Sequence, residues 1–281
     1  MEKPTKKIEQ TVLRTIIASL LVGLVSSTMI SPYRQAAYAH TFTGDESASF
    51  MSLIKVVQAE ENLVQANLAN KTLAQDHAKA VVDEINGNHT FGVLPDEVSE
   101  NNKRVAADVI HAGEALQTAI KSASFSPADV TAKLNNLNST LQEAVAVRLP
   151  QDAPKNFTIN LMSTKDLVNE TLRQYGYAYG ITNSNQVKNN SSTNPSSSNI
   201  GNMSAYQNAK SLTSQVQDML TQTKSLLPSN ATATTKTAMT NLAGSLSQLR
   251  NLVDAKSPYE KVATLVQKTV YPDTDKVIGM K

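Results

Sequence analysis

The stretch SPADVTAKLNNLNSTLQEAV (126–145) decides the fold. Ser126 can cap a helix, Pro127 suits a first turn, and Asp129 places negative charge at the positive end of the helix dipole. Val130, Leu134, Leu137, Leu141 and Val145 then recur three and four residues apart, the spacing of one face of an α-helix. Aromatic residues make up only 5% of the chain, too few for the β-branched and aromatic content that strands favour. The protein is therefore expected to be all-α.

The same period recurs on both sides. Upstream, Thr43 and Glu46 form a capping box ahead of Phe50, Ile54, Val57, Val64 and Leu68. That pattern runs to Ile85, with a break near Asn70 as the alternative, and Gly87 ends it. Pro95-Asp96 opens a second helix carrying Val98, Val105, Val109, Leu116 and Ile120. After Pro150 and Pro154, a fourth helix carries Leu161, Val168, Leu172, Tyr175 and Tyr179. Residues 181–203 are rich in Asn and Ser, the composition of a flexible linker. Three further stripes follow: Ala205 to Leu226, Met239 to Val253, and Val262 to Val270 behind a capping box at Ser257–Glu260. The expected architecture is a four-helix bundle (within 40–180), a linker (181–203) and a three-helix unit with a short C-terminal tail (204–281). The last unit is near the lower size limit for independent folding, so it either stands alone or docks on the bundle.

The first 39 residues read as a secretory signal. Lys3, Lys6, Lys7 and Arg14 precede an apolar run from Thr15 to Ile30, and Ala37-Tyr38-Ala39 is an A-x-A cleavage site ahead of His40. The alternative is an uncleaved anchor, the one segment through which the chain would meet a membrane. Either form places the protein outside the cytoplasm, secreted or at the cell surface. Cleavage removes five of the 26 basic residues and two of the 24 acidic ones, leaving a net charge of −1. No basic field remains for nucleic acid. Without Cys, no disulfide, thiolate metal site or cysteine nucleophile can form. N-x-S/T sequons at Asn70, Asn88, Asn138, Asn156, Asn169, Asn189, Asn190, Asn202 and Asn230 are candidate glycosylation sites.

All four histidines, His40, His77, His89 and His111, precede the linker. Cleavage after Ala39 would give His40 a free α-amine beside its ring, a chelate suited to Cu²⁺ and completed by His77 or His89. The competing reading makes His77 a partly buried, hydrogen-bonded histidine on the edge of the apolar face and leaves the others at the surface. Glu60, Glu61, Asp76, Glu84, Glu143, Asp166 and Glu170 are too unevenly distributed for a di-iron bundle and read as solvated charge. No phosphate loop, nucleophile elbow or H-E-x-x-H motif occurs. An enzyme is not expected and no cofactor is required; copper or another metal at these histidines is the alternative.

The segment His40–Phe50, with Leu53, Leu63-Val64, Asn67-Leu68, Leu73-Ala74, Asp76-His77-Ala78 and Asn101–Ala106, resembles secreted helical-bundle proteins of ammonia-oxidising archaea. The likeness spans about residues 37–125 and carries no catalytic residues. The function of that group is unassigned, but its organisms' copper enzymes and glycosylated surface layers favour an envelope or copper role. With the export signal, the aliphatic stripes and no catalytic constellation, the expectation is a non-enzymatic envelope glycoprotein that binds other envelope or membrane proteins, such as an accessory subunit of a membrane-bound copper oxidase like ammonia monooxygenase. The alternative is an extracytoplasmic copper-binding or copper-delivery protein using the N-terminal histidine.

Overall fold

In the computed structural model the residues described are 44–87, 91–181 and 200–279, and every one of them lies in a helix, a turn or a short connection. The helices are α1 (Gly44–Ala66), α2 (Lys71–Ile85), α3 (Leu94–Ser99), α4 (Lys103–Lys121), α5 (Pro127–Arg148), α6 (Phe157–Ala178), α7 (Met203–Ser225), α8 (Ala233–Asp254), α9 (Tyr259–Leu265) and α10 (Tyr271–Gly279). The all-α expectation is met, and no helix among the described residues is long and apolar enough to cross a membrane.

The stripes are buried as their spacing predicts. Val130, Leu134, Leu137 and Leu141 of α5 are in the core, as are Val105, Val109, Leu116 and Ile120 of α4. Each fully buried aliphatic chain contributes about 1.5–3 kcal/mol. α1 differs from the others: Phe50, Met51, Leu53, Ile54, Val56, Val57 and Ala59 are all buried, so it is apolar nearly all round. Such a helix belongs in the middle of a bundle. It packs on α2, α5, α6 and α7.

Two local features depart from the sequence reading, and one resolves an alternative it left open. The first helical pattern is two helices, broken at Asn70, which turns the chain and whose side chain accepts the Leu73 N–H at the start of α2. α2 then runs back along α1. The second pattern is also split: Asn102 caps α4 by accepting from Arg104 and Val105, leaving α3 as a separate short helix. Near the C-terminus the expected Ser257 capping box does not form. Pro258 is the cap and makes no side-chain bond, and the chain stays helical to Gly279. Pro272 lacks an N–H and its ring crowds the carbonyl four residues back, which accounts for the wide π-turn over Val266–Val270 just before it.

The helices on both sides of 182–199 belong to one compact unit, Thr41–Lys281. α7 makes its most extensive contact with α6 and also touches α1 and α2, so the second half docks on the first. Tyr175 on α6 and Tyr179, which caps its C-terminal end, donate to the carbonyl of Ser257, and Tyr179 also donates to that of Lys256 (2.9 Å). These bonds pin the α8–α9 turn to α6.

Gly87 follows the end of α2 at φ +74°, and a Cβ there would clash with Val93 Cγ2 and lie 3.0 Å from Val93 Cα. Gly87→Ala therefore combines left-handed backbone strain with a clash. It should cost roughly 2–3 kcal/mol in urea unfolding. A loss below about 0.5 kcal/mol, within the range of ordinary surface substitutions, would contradict this packing.

Candidate functional site

The site is built by the turn at Asn70. Folding α2 back on α1 carries His77 against Glu60, and docking of α7 brings Gln207 and Asn208 to the same place. His77 Nδ1 lies 2.6 Å from Glu60 Oε2, and His77 Nε2 lies 2.8 Å from Gln207 Oε1. Asn208 donates its amide to the other Glu60 oxygen. His77 is fully buried, and Glu60 and Asn208 nearly so. Burying such groups is tolerable only when they are hydrogen-bonded.

The bonding pattern fixes proton positions. Asn67 Nδ2 donates to the Leu63 carbonyl at 2.8 Å and to Gln207 Oε1 at 3.0 Å, while Gln207 Nε2 donates back to Asn67 Oδ1 at 3.3 Å. The backbone carbonyl decides which end of Asn67 is nitrogen. That in turn presents the Gln207 oxygen to His77, so His77 Nε2 carries a proton. The Nδ1–Oε2 contact needs one more proton, on either atom.

A second buried group adjoins the first. Arg173 grips Glu170 with two bonds of 2.7 and 2.6 Å and lies 4.0 Å from Glu84. Gln174 also donates to Glu170 (2.8 Å). Burial, reinforced by the neighbouring Glu170, pushes Glu84 up to about 9 despite Arg173. Burial also moves Glu60 upward, against the opposing bond from His77. Burial alone would lower His77, but the hydrogen bond and charge of Glu60 outweigh it and raise it. Glu60, Asp83, Glu84, Gln174, Tyr177 and Ser204 line an open cleft of about 450 Å³ above these groups. On another face of α1, burial lifts Glu61 to about 8, and its Oε1 has no hydrogen-bond partner.

The expectation of solvated charge fails at Glu60, Glu61, Glu84 and Glu170, all 7% exposed or less. They sit on core-facing positions: Glu60, for example, follows Val56 and precedes Val64 by four. Arg148 is likewise buried, bonded to Glu97 and stacked over Phe50. The only sequence signal for any of these was a charge falling on an apolar stripe.

Of the histidines, His77 is a fully buried core residue, with Glu60 at one ring nitrogen and Gln207 at the other. His111 is exposed and 3.8 Å from Glu114, on the polar side as expected. His40 and His89 lie outside the described residues. Among the described residues no group of three or more His, Asp or Glu is arranged to hold a metal ion.

Of the sequons, Asn70, Asn156 and Asn202 are exposed helix caps whose oxygens accept backbone N–H groups. Capping gives these three a structural use independent of any glycan. Asn230 is an exposed turn residue, and Asn138 and Asn169 lie within helices. Asn88, Asn189 and Asn190 are outside the described residues.

No protein-family model, curated protein or solved structure matches the chain.

Proposed function

We propose that this is an exported, non-enzymatic helical protein that serves as a structural and interaction component of the cell envelope. One form of this role is an accessory subunit on the outer face of a membrane-bound copper oxidase such as ammonia monooxygenase. The observation that carries the reading is the N-terminal leader: a cationic start, an apolar run and an A-x-A site immediately before the helical body. The body fits the role because packing alone holds it, with no need of an oxidised cysteine. Its polar groups at the cleft bond mainly to one another, as in a structural seam. Met203 is the one large hydrophobic side chain exposed among the described residues. Contacts with partners would therefore be mainly polar, through the Asn-, Ser- and Thr-rich helix faces.

A membrane-impermeant amine reagent applied to intact native cells tests this directly. Lys121, Lys224 and Lys236 are exposed and should be labelled in intact cells as fully as after lysis, with the protein then recovered cross-linked to a membrane or surface-layer component. Labelling that appears only after lysis would rule the envelope role out.

A further inference from the structure

We propose that the α1–α2 hairpin carries a one-proton clasp beneath α7: a single proton on the hydrogen bond between His77 Nδ1 and Glu60 Oε2 keeps this pair neutral while α7 covers it, and losing it leaves a buried charge whose hydration favours opening of α7.

The geometry leaves room for one proton. Gln207 presents an oxygen to His77 Nε2, and Asn208 presents an N–H to Glu60 Oε1. The remaining pair of atoms, 2.6 Å apart, is bonded only while a proton lies between them. With the proton, the pair is either imidazolium with carboxylate or imidazole with carboxylic acid, and in both forms its net charge is zero. Without it, two lone pairs face each other and one negative charge is left in a fully buried position. The relief available is separation, because each partner regains water when α7 moves away from α1 and α2.

The surroundings act in the same sense. Around the pair, α2 contributes Asp76 and Glu84, and α6 contributes Glu170 with its partner Arg173. α7 contributes only the amides Gln207 and Asn208, so it brings no cation to compensate a bare Glu60. Glu170 further disfavours a second negative charge nearby. The closed pair therefore keeps its proton to the alkaline side of an ordinary histidine, consistent with the upward direction of both groups.

The sign follows from linkage. Above the ordinary histidine value, about 6.5, the open form has lost the proton that the closed form retains. Opening then grows about tenfold per pH unit until the closed pair releases its own proton, and is level beyond that. Below that value the two forms hold this proton alike, and the clasp is at full strength.

Hydrogen exchange of the full chain from about pH 6 to about pH 10, bracketing the ordinary histidine value, reads this out once corrected for the intrinsic rate. Amides of α7 near Gln207 and Asn208 should lose protection by roughly tenfold per pH unit relative to α4 amides in the same sample. Glu60→Gln supplies a permanent N–H toward Nδ1 and an oxygen toward Asn208, and should remove that slope. Glu84→Gln should leave the slope in place, which separates the clasp from the other buried acid. Nitrogen NMR of His77 in the unmodified protein gives a reading that no variant can spoil. Its Nδ1 should remain in the proton-sharing hydrogen bond, with no free-histidine titration, beyond the ordinary histidine range. An α7 that tracks α4 at every pH, a slope unchanged by Glu60→Gln, or a His77 ring that titrates like a free histidine would each overturn the clasp.

Discussion

Replacing His77 with phenylalanine is expected to destabilise the protein by about 3–5 kcal/mol, the range for removing one member of a buried, hydrogen-bonded charge pair. The ring fits a similar volume, so lost packing is not the main term. The cost comes from Glu60, which keeps only the Asn208 bond and must be either charged and unpaired or neutral and under-bonded in a dry position. This suggests a rescue. Glu60→Met in the same chain removes the orphaned acid, and the double variant should be clearly more stable than His77→Phe alone, because apolar replacements of matched volume are tolerated where half a pair is not. Urea unfolding of the parent and the two variants checks both statements. A His77→Phe loss below about 1 kcal/mol, close to that of an ordinary point mutation, would mean that the pair does not hold the seam.

Glu84→Gln is expected to stabilise the protein at neutral and alkaline pH and to do little in acid. The folded-state value is about 9, against an ordinary 4.5. Below the ordinary value both folded and unfolded chains carry the proton, and the group makes no difference. As pH rises, the unfolded chain ionises first, and folding must then take up a proton. Stability falls by about 1.4 kcal/mol per pH unit until the folded group itself ionises. At pH 7 the accumulated penalty is on the order of 3 kcal/mol, and a glutamine, which does not ionise, removes it. Glu61, held at about 8 by burial on another face of α1, should behave in the same way on Glu61→Gln. Thermal melts across about pH 4 to 9, the span between ordinary and buried carboxyl values, should show the variant and parent curves meeting at the acid end and diverging upward. Parallel curves would place Glu84 in water.

The helices were legible because burying a row of aliphatic side chains imposes a period that composition cannot hide. Val130 to Leu141, Met239 to Val253 and Val105 to Ile120 all face the core they announced. Helix breaks were harder to see. The length of the first pattern hinted at a break near Asn70, but Asn102 acts through a single side-chain oxygen, and nothing in the flanking apolar pattern marks it off from other asparagines in this Asn-rich chain. The polar seam was hardest. Glu60 lies 17 positions from His77 and 148 from Asn208. Periodicity gives the face a residue occupies but not which distant partner meets it there. A glutamate on a buried stripe is expected to be solvated until the partner that satisfies it is known. His77 illustrates the consequence: its edge position suited a hydrogen-bonded core histidine, but only the fold names Glu60 and Gln207 as its partners.

The order of events at the N-terminus underlies the proposed role, because the helical body can work in the envelope only if it is exported. An intact mass, with N-terminal peptide sequencing, of the protein recovered from native membranes and medium is the most direct test. A chain beginning at His40, or a full-length chain found only in the membrane fraction and exposed to the outside, is the expected result. A full-length chain with Met1 in place, recovered from the cytosol, would contradict the account.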